Sequence, residues 1–393
     1  MSVLHEPIAD PQRLRATSLP TAADLDAAIA NVLARIDRAL PDLTDRFPAP
    51  SSEGLTYPAI DNVEWTNGFW TGMLWLAWET TGEDRYLSAA TRQVASFVAR
   101  ADARVNVAHH DLGFLYTPSA CAAYRLTGDD AARRAALLAA DYLLERFDPV
   151  SGVIQAWGDL TDPAEAGRMI IDCNLNLPLL YWASEQTGDG RYRAAAEAHL
   201  IRAARYLVRP DGSTFHTFHM DIRTGQPLRG TTHQGFSDDS CWARGQAWGI
   251  YGFALGYRHS GRTELVDLSA TLANYFLNRL PVDLVCHWDL IFTDGDEPRD
   301  TSAAAIAACG LLELIGHLPI AHPERDLYAR AAWGMVRQLD RAHLTPLDGS
   351  NGVLRDGVYH MPKRIGVSEC CIWGDYFHLE ALIRMRRIWS PYW

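Results

Sequence analysis

Four times along this chain a helix-like segment closes on Thr-Gly or Ser-Gly and a second helical pattern starts almost at once: Thr81-Gly82, Thr127-Gly128, Thr187-Gly188 and Ser260-Gly261. Glycine just past a helix end is the common stop signal, because it enters the left-handed conformation without steric cost. At the first three turns an acidic residue follows (Glu83, Asp129 and Asp189), which favours the start of the next helix. The chain is therefore a series of tight helical hairpins. Their spacing is irregular because the segments between hairpins differ in length.

Reading outward from these turns places one set of helices near 66–80, 114–127, 174–187, 242–259, 301–317 and 373–388. These are apolar nearly all round and rich in small residues, as in the run from Ser302 to Leu312, which is how a fully buried helix reads. A second set falls near 22–40, 84–101, 130–147, 191–208, 262–280 and 324–342, with charge gathered on one face. Six inner and six outer helices in alternation predict an all-α fold, an (α/α)6 barrel or six-hairpin toroid. No Pro, Gly or Ser tract and no charge block divides it, so residues 1–393 are expected to form a single catalytic domain. The short turns then share one rim. The long connections, about 41–65, 102–113, 148–173, 209–241, 281–300 and 343–372, share the other, and the site is expected there.

Several function classes are excluded at this point. A net charge of -12 with no basic block argues against nucleic acid, although a few pocket arginines could still attract an acidic substrate. No run approaches the roughly 18 to 20 apolar residues of a membrane span, and Met1–Pro20 lacks a signal-peptide core, so no membrane partner and a cytoplasmic location are expected. Seven cysteines without C-x-x-C spacing indicate neither a disulfide framework nor a zinc ribbon. His216, His219 and Asp221 could suggest a metal, but H-x-x-H on an extended segment sends the rings to opposite faces. The run Asp294–Glu297 lacks the rest of a calcium loop, and no phosphate-binding loop occurs. The expectation is an enzyme without metal or cofactor, acting as a monomer or weak homodimer.

Four clusters fall just before or at the start of inner helices: Trp65-Thr-Asn-Gly-Phe-Trp70, His109-His-Asp-Leu-Gly-Phe114, Met169-Ile-Ile-Asp-Cys-Asn-Leu-Asn176 and Gly235 to Trp248. Asp111 and Asp172 should thus face one cavity from adjacent hairpins, the pair of carboxylates that acid–base chemistry on a glycosidic bond requires. Either could equally serve only as a helix cap. Asp172 follows Met-Ile-Ile, and such apolar surroundings should raise its pKa. Trp65, Trp157, Trp242 and Trp248 are candidates for stacking on sugar faces. Arg244 could grip a substrate carboxylate with both arms of its guanidinium.

At these residues the chain resembles the unsaturated glucuronyl hydrolases of glycoside hydrolase family 88, over a stretch from about Asn62 onward that also includes Trp242-Ala-Arg-Gly-Gln-Ala-Trp248 and Trp373 to Leu382. The unsaturated rhamnogalacturonyl hydrolases are similar but differ around Arg244. The resemblance implies removal of a 4,5-unsaturated uronic acid from the non-reducing end of a lyase-generated oligosaccharide by hydration of the C4=C5 bond. It implies Asp172 as the catalytic acid and base, Asp111 as the second catalytic carboxylate, and His110, Trp157, His216, Gln234, Arg244 and Trp248 around the substrate. Lys363 and Arg364 are expected to read a sulfate or second carboxylate on the leaving sugar. A conventional glycosidase attacking C1, a sugar epimerase on the same toroid and a non-catalytic sugar-binding protein remain open alternatives.

Overall fold

The structure, a computed structural model, describes residues 3–162 and 165–393. Its inner helices are Asn67–Thr81, a composite helix over 112–127, Pro178–Thr187, Ala243–Ser260, Thr301–His317 and Ile372–Arg386. The outer helices are Ala22–Leu43, Asp84–Asp102, Asp130–Leu144, Gly190–Tyr206, Glu264–Leu277 and Arg325–Ala342. All twelve expected helices are present and the barrel is six-hairpin. Among the described residues, no helix is long and apolar enough to cross a membrane.

The hairpin turns behave as their glycines require. Gly82, Gly128, Gly188 and Gly261 all adopt left-handed φ between 72 and 75°, and each amide donates to the carbonyl four residues back, as Gly188 does to Ser184 at 2.8 Å. A Cβ at any of the four would meet open space, so backbone conformation alone selects glycine there. Asp129 and Asp189 then cap the following helices through their side chains.

Burial separates the two rings. In Thr301–His317 every residue from Thr301 to Leu311 is buried, whereas Ala22–Leu43 buries one stripe, Leu25, Ala28, Ile29, Val32, Ile36, Ala39 and Leu43, with Arg35 buried beside it. At about 25 cal/mol per Å² of apolar surface, such stripes supply most of the drive for closing the ring.

Three features depart from the regular pattern. Among the described residues, the long connections carry four small antiparallel sheets, of which the largest joins Arg168–Ile170, Thr217–Met220 and Pro227–Thr231. The second inner helix widens into a π-helical stretch, Thr117–Cys121, where Pro118 offers no amide to the ordinary ladder. The third inner helix is broken: a 3-10 turn, Ile171–Leu175, precedes Pro178–Thr187, so Asp172 sits on a separate turn at the top of the barrel.

Candidate active site

A cavity of about 350 Å³ opens over the inner ring on the long-connection rim, bordered by Trp65, Asp111, Trp157, Asp172, Gln234, Trp242, Arg244, Trp248 and Lys363 among others. The two carboxylates reach it from different hairpins. Asp111 precedes Leu112–Tyr116 and Asp172 lies in the first turn of Ile171–Leu175. These turns are locked together. The Phe114 amide donates to Oδ1 of Asn176 at 2.7 Å, and a Cβ on Gly113 would lie 2.3 Å from the Asn176 Cα, so only glycine permits the approach.

Neither aspartate acts as a cap. Asp111 makes no capping hydrogen bond, and the buried Oδ1 of Asp172 has no hydrogen-bond partner among the described residues. With His110 they form a cluster whose nearest ligand-type atoms all lie within 4.8 Å of one another. His110 Nε2 is 3.2 Å from Asp111 Oδ1, and His109 Nδ1 is 3.4 Å from its Oδ2. One imidazole facing two carboxylates is a donor set that a divalent cation could use. The His216–His219 pair is not such a set, because His219 turns away to Thr231.

The electrostatics divide the pair. Burial pushes the Asp172 carboxyl up to about 7, with the Asp111 charge adding to the rise and His110 resisting it. Asp111 is also opposed by burial, yet His110 and His109 together hold it below the usual carboxylate range. Burial likewise disfavours an imidazolium at His110, but the Asp111 carboxylate prevails and keeps its pKa well above that of an ordinary histidine. The result is one ionised and one protonatable carboxyl side by side, the division of labour that acid–base chemistry needs.

The other expected residues separate into three positions. Trp65, Trp157, Gln234, Arg244, Trp248 and Lys363 border the cavity. His110 and His216 are buried behind it, the latter against Trp242 at 4.6 Å with Nδ1 accepting from the His233 amide. Arg364 lies outside it, exposed on a left-handed residue that closes a 3-10 turn. Arg244 differs from expectation in what it grips. It is 1% exposed, and it donates to Asp300 at 3.0 Å, to Gln234 and to the carbonyls of Val358 and Tyr359. Its guanidinium also lies over Trp242 and Trp373. Protein acceptors thus occupy both its terminal nitrogens, and it lends the cavity positive charge rather than a free fork.

Sequence reasoning missed His233, Tyr359 and His360, which also border the cavity. His233 packs on Trp157 at 5.4 Å and on His360 at 4.9 Å, and Tyr359 accepts the Trp65 indole N–H at 3.0 Å. His233 was adjacent to Gln234 in the chain. The other two arrive on Gly357–His360, a strand that no periodic pattern announced.

The sequence profile described as Glycosyl Hydrolase Family 88 matches residues 41–337. The unsaturated chondroitin disaccharide hydrolase of Streptococcus pneumoniae is 48% identical over 393 residues, covering 100% of this chain and 99% of that protein. A crystal structure of unsaturated glucuronyl hydrolase from Streptococcus agalactiae superimposes with a TM-score of 0.98 at 46% identity, covering 100% of this chain and 99% of the other. A variant of that enzyme complexed with dGlcA-GalNAc6S superimposes with a TM-score of 0.90 at 43% identity, with the same coverage.

Proposed function

The chain belongs to glycosyl hydrolase family 88, and we propose that within it the whole chain acts as one catalytic domain releasing a 4,5-unsaturated uronic acid from the non-reducing end of lyase-generated oligosaccharides. Unsaturated chondroitin disaccharides are the first substrates to consider, given the activity named for the S. pneumoniae relative. The observation that carries the mechanism is Asp172, a buried carboxyl raised to about 7 beside an ionised Asp111.

A 4,5-unsaturated uronate is a vinyl ether, so a proton delivered to C4 leaves positive charge shared between C5 and the ring oxygen. Asp172 donates that proton and becomes the base that deprotonates the water adding at C5. The C5 hemiketal then opens by loss of its bond to the ring oxygen, and the freed C1 hemiacetal releases the remaining sugar. Asp111, held ionised by His110, stabilises the developing cation. Trp157 and Trp248 stack on the flattened ring. The positive charge of Arg244 attracts the carboxylate of the unsaturated ring, and Gln234 holds a hydroxyl or the water.

Lys363 reads a sulfate or carboxylate on the leaving sugar. Its place at the cavity and the sulfated disaccharide held by the S. agalactiae variant support this. Arg364 has no such support and is dropped from the pocket. The cysteines Cys121, Cys173, Cys241, Cys286, Cys309, Cys370 and Cys371 are all free and buried, which favours the cytoplasm.

The test is the ultraviolet absorbance of the conjugated double bond while protein dialysed against chelator acts on unsaturated chondroitin or hyaluronan disaccharides. Absorbance is expected to fall with wild type and to persist with Asp172→Asn. A double bond that survives wild type on these and other lyase products overturns the reading. Incorporation of solvent deuterium at C4 distinguishes hydration from attack at C1.

A further inference from the structure

Two of the tryptophans bordering the cavity, Trp65 and Trp248, rest on a layer of phenylalanines. Phe114 lies 5.8 Å from Trp65 and 5.1 Å from Trp248, and Phe377 lies 5.4 Å from Trp248. Behind this layer, inside the inner ring, is Trp393. Its ring stacks on Phe377 at 5.7 Å and meets Phe114 edge-on at 6.2 Å. Its indole N–H donates to the buried carboxylate of Glu380 at 2.8 Å, and the residue is 4% exposed.

The segment 389–393 is tied to the inner helices rather than draped over them. Trp389 and Tyr392 both donate to the Glu79 carboxylate, and Arg125 donates to the Pro391 carbonyl at 2.8 Å. On its far side Trp393 borders a crevice of about 520 Å³ together with Tyr124, Trp182 and Arg258, at the ends of inner helices on the short-turn rim. Trp393 thus lies between that rim and the aromatic layer under the cavity.

We propose that Trp393 is a positioning residue for the reaction: by filling the lower end of the inner ring it sets the height of Phe114 and Phe377. Through them it sets Trp65, Trp248 and Asp111, which lies one helical turn before Phe114 and whose carbonyl accepts from the Leu115 amide at 3.1 Å. Removing the ring lets the layer settle away from the substrate, and small displacements of reacting groups are costly in rate.

This inference rests on the activity proposed above, so wild type is assayed on the same unsaturated disaccharide. An inactive wild type sinks that reading, whereas the variants judge this one. Trp393→Phe, Trp393→Leu and Trp393→Gly are compared for kcat, KM and melting temperature, with assays run well below each transition. The expectation is a graded loss of kcat, slight for Phe and about tenfold or more for Leu and Gly. Added indole, entering from the short-turn rim, is expected to raise kcat of the Gly variant. A Leu or Gly variant that melts earlier but keeps kcat and KM within about twofold of wild type overturns the proposal and leaves Trp393 a stability residue only. Should the Gly variant not fold, the Leu variant decides by the same criterion.

Discussion

Phe114 donates its backbone amide to the side-chain oxygen of Asn176 at 2.7 Å, and this bond fastens the turn carrying Asp111 to the turn carrying Asp172. The pairing of the two carboxylates is therefore a property of neighbouring hairpins held together by one amide side chain and one missing Cβ. Asn176→Ala leaves the buried Phe114 amide without its acceptor and is expected to cost about 1–3 kcal/mol. Gly113→Ala forces a Cβ into the Asn176 backbone and is expected to cost at least as much. Both should lower kcat at least tenfold at temperatures where urea titration shows the variants folded. Unchanged kcat would separate the clamp from catalysis.

Burial of Asp172 costs stability near neutral pH. Its folded-state pKa of about 7 lies above the ordinary 3.8, so the native state holds its proton more tightly than the unfolded chain does. The contribution of Asp172 to native stability therefore falls as pH rises from about 4 to about 7 and levels off above. Asp172→Asn removes this penalty. The variant should be more stable than wild type at pH 8 by up to roughly 4 kcal/mol, with little difference at pH 4, while kcat falls about 10²–10⁴-fold. Urea titrations at the two pH values check the sign.

The same group sets the pH profile. In the proposed mechanism Asp172 is the acid of the first step and must carry its proton, so kcat/KM should decline tenfold per pH unit above about 7. Asp111, held ionised below the usual carboxylate range, should contribute no limb between pH 5 and 8. A rate that rises through pH 8 would mean that the acid is another group.

Lys363 and Arg364 are neighbours in sequence with different expected roles. Lys363→Ala should reduce turnover of a 6-sulfated unsaturated disaccharide relative to its unsulfated form by roughly tenfold, the scale of one charge-assisted contact. Arg364→Ala should leave that ratio unchanged, because Arg364 does not border the cavity.

The hairpin turns offer a control remote from the site. Gly188→Ala places a side chain on a left-handed residue with φ of 74° in open space. It should cost about 1–2 kcal/mol in urea unfolding and leave kcat unaltered.

Much of this molecule is legible in the sequence because the information is local. Helix periodicity and the Thr-Gly stops specify twelve helices and their two rings. The apolar run before Asp172 announces a desolvated carboxyl. The short strands were not legible, since pairs such as Phe47–Pro48 with Ala59–Ile60 are too brief to show alternation. Nor was the break before Pro178 resolved, although its proline was in view.

The sequence by itself determined the hairpin count and the inner and outer faces, and it set Asp111 and Asp172 at the starts of neighbouring inner helices, since each follows from residue type and near-neighbour spacing. Only the tertiary structure decided how they are used. It brought His110 to 3.2 Å from Asp111 and left Asp172 Oδ1 without a partner among the described residues, and so lowered the pKa of one carboxyl while burial raised the other. It engaged the Arg244 guanidinium with Asp300 and Gln234, and it placed Trp393 behind the cavity wall. Protonation and grip depend on desolvation and on partners distant in the chain, and ring closure alone brings those partners together.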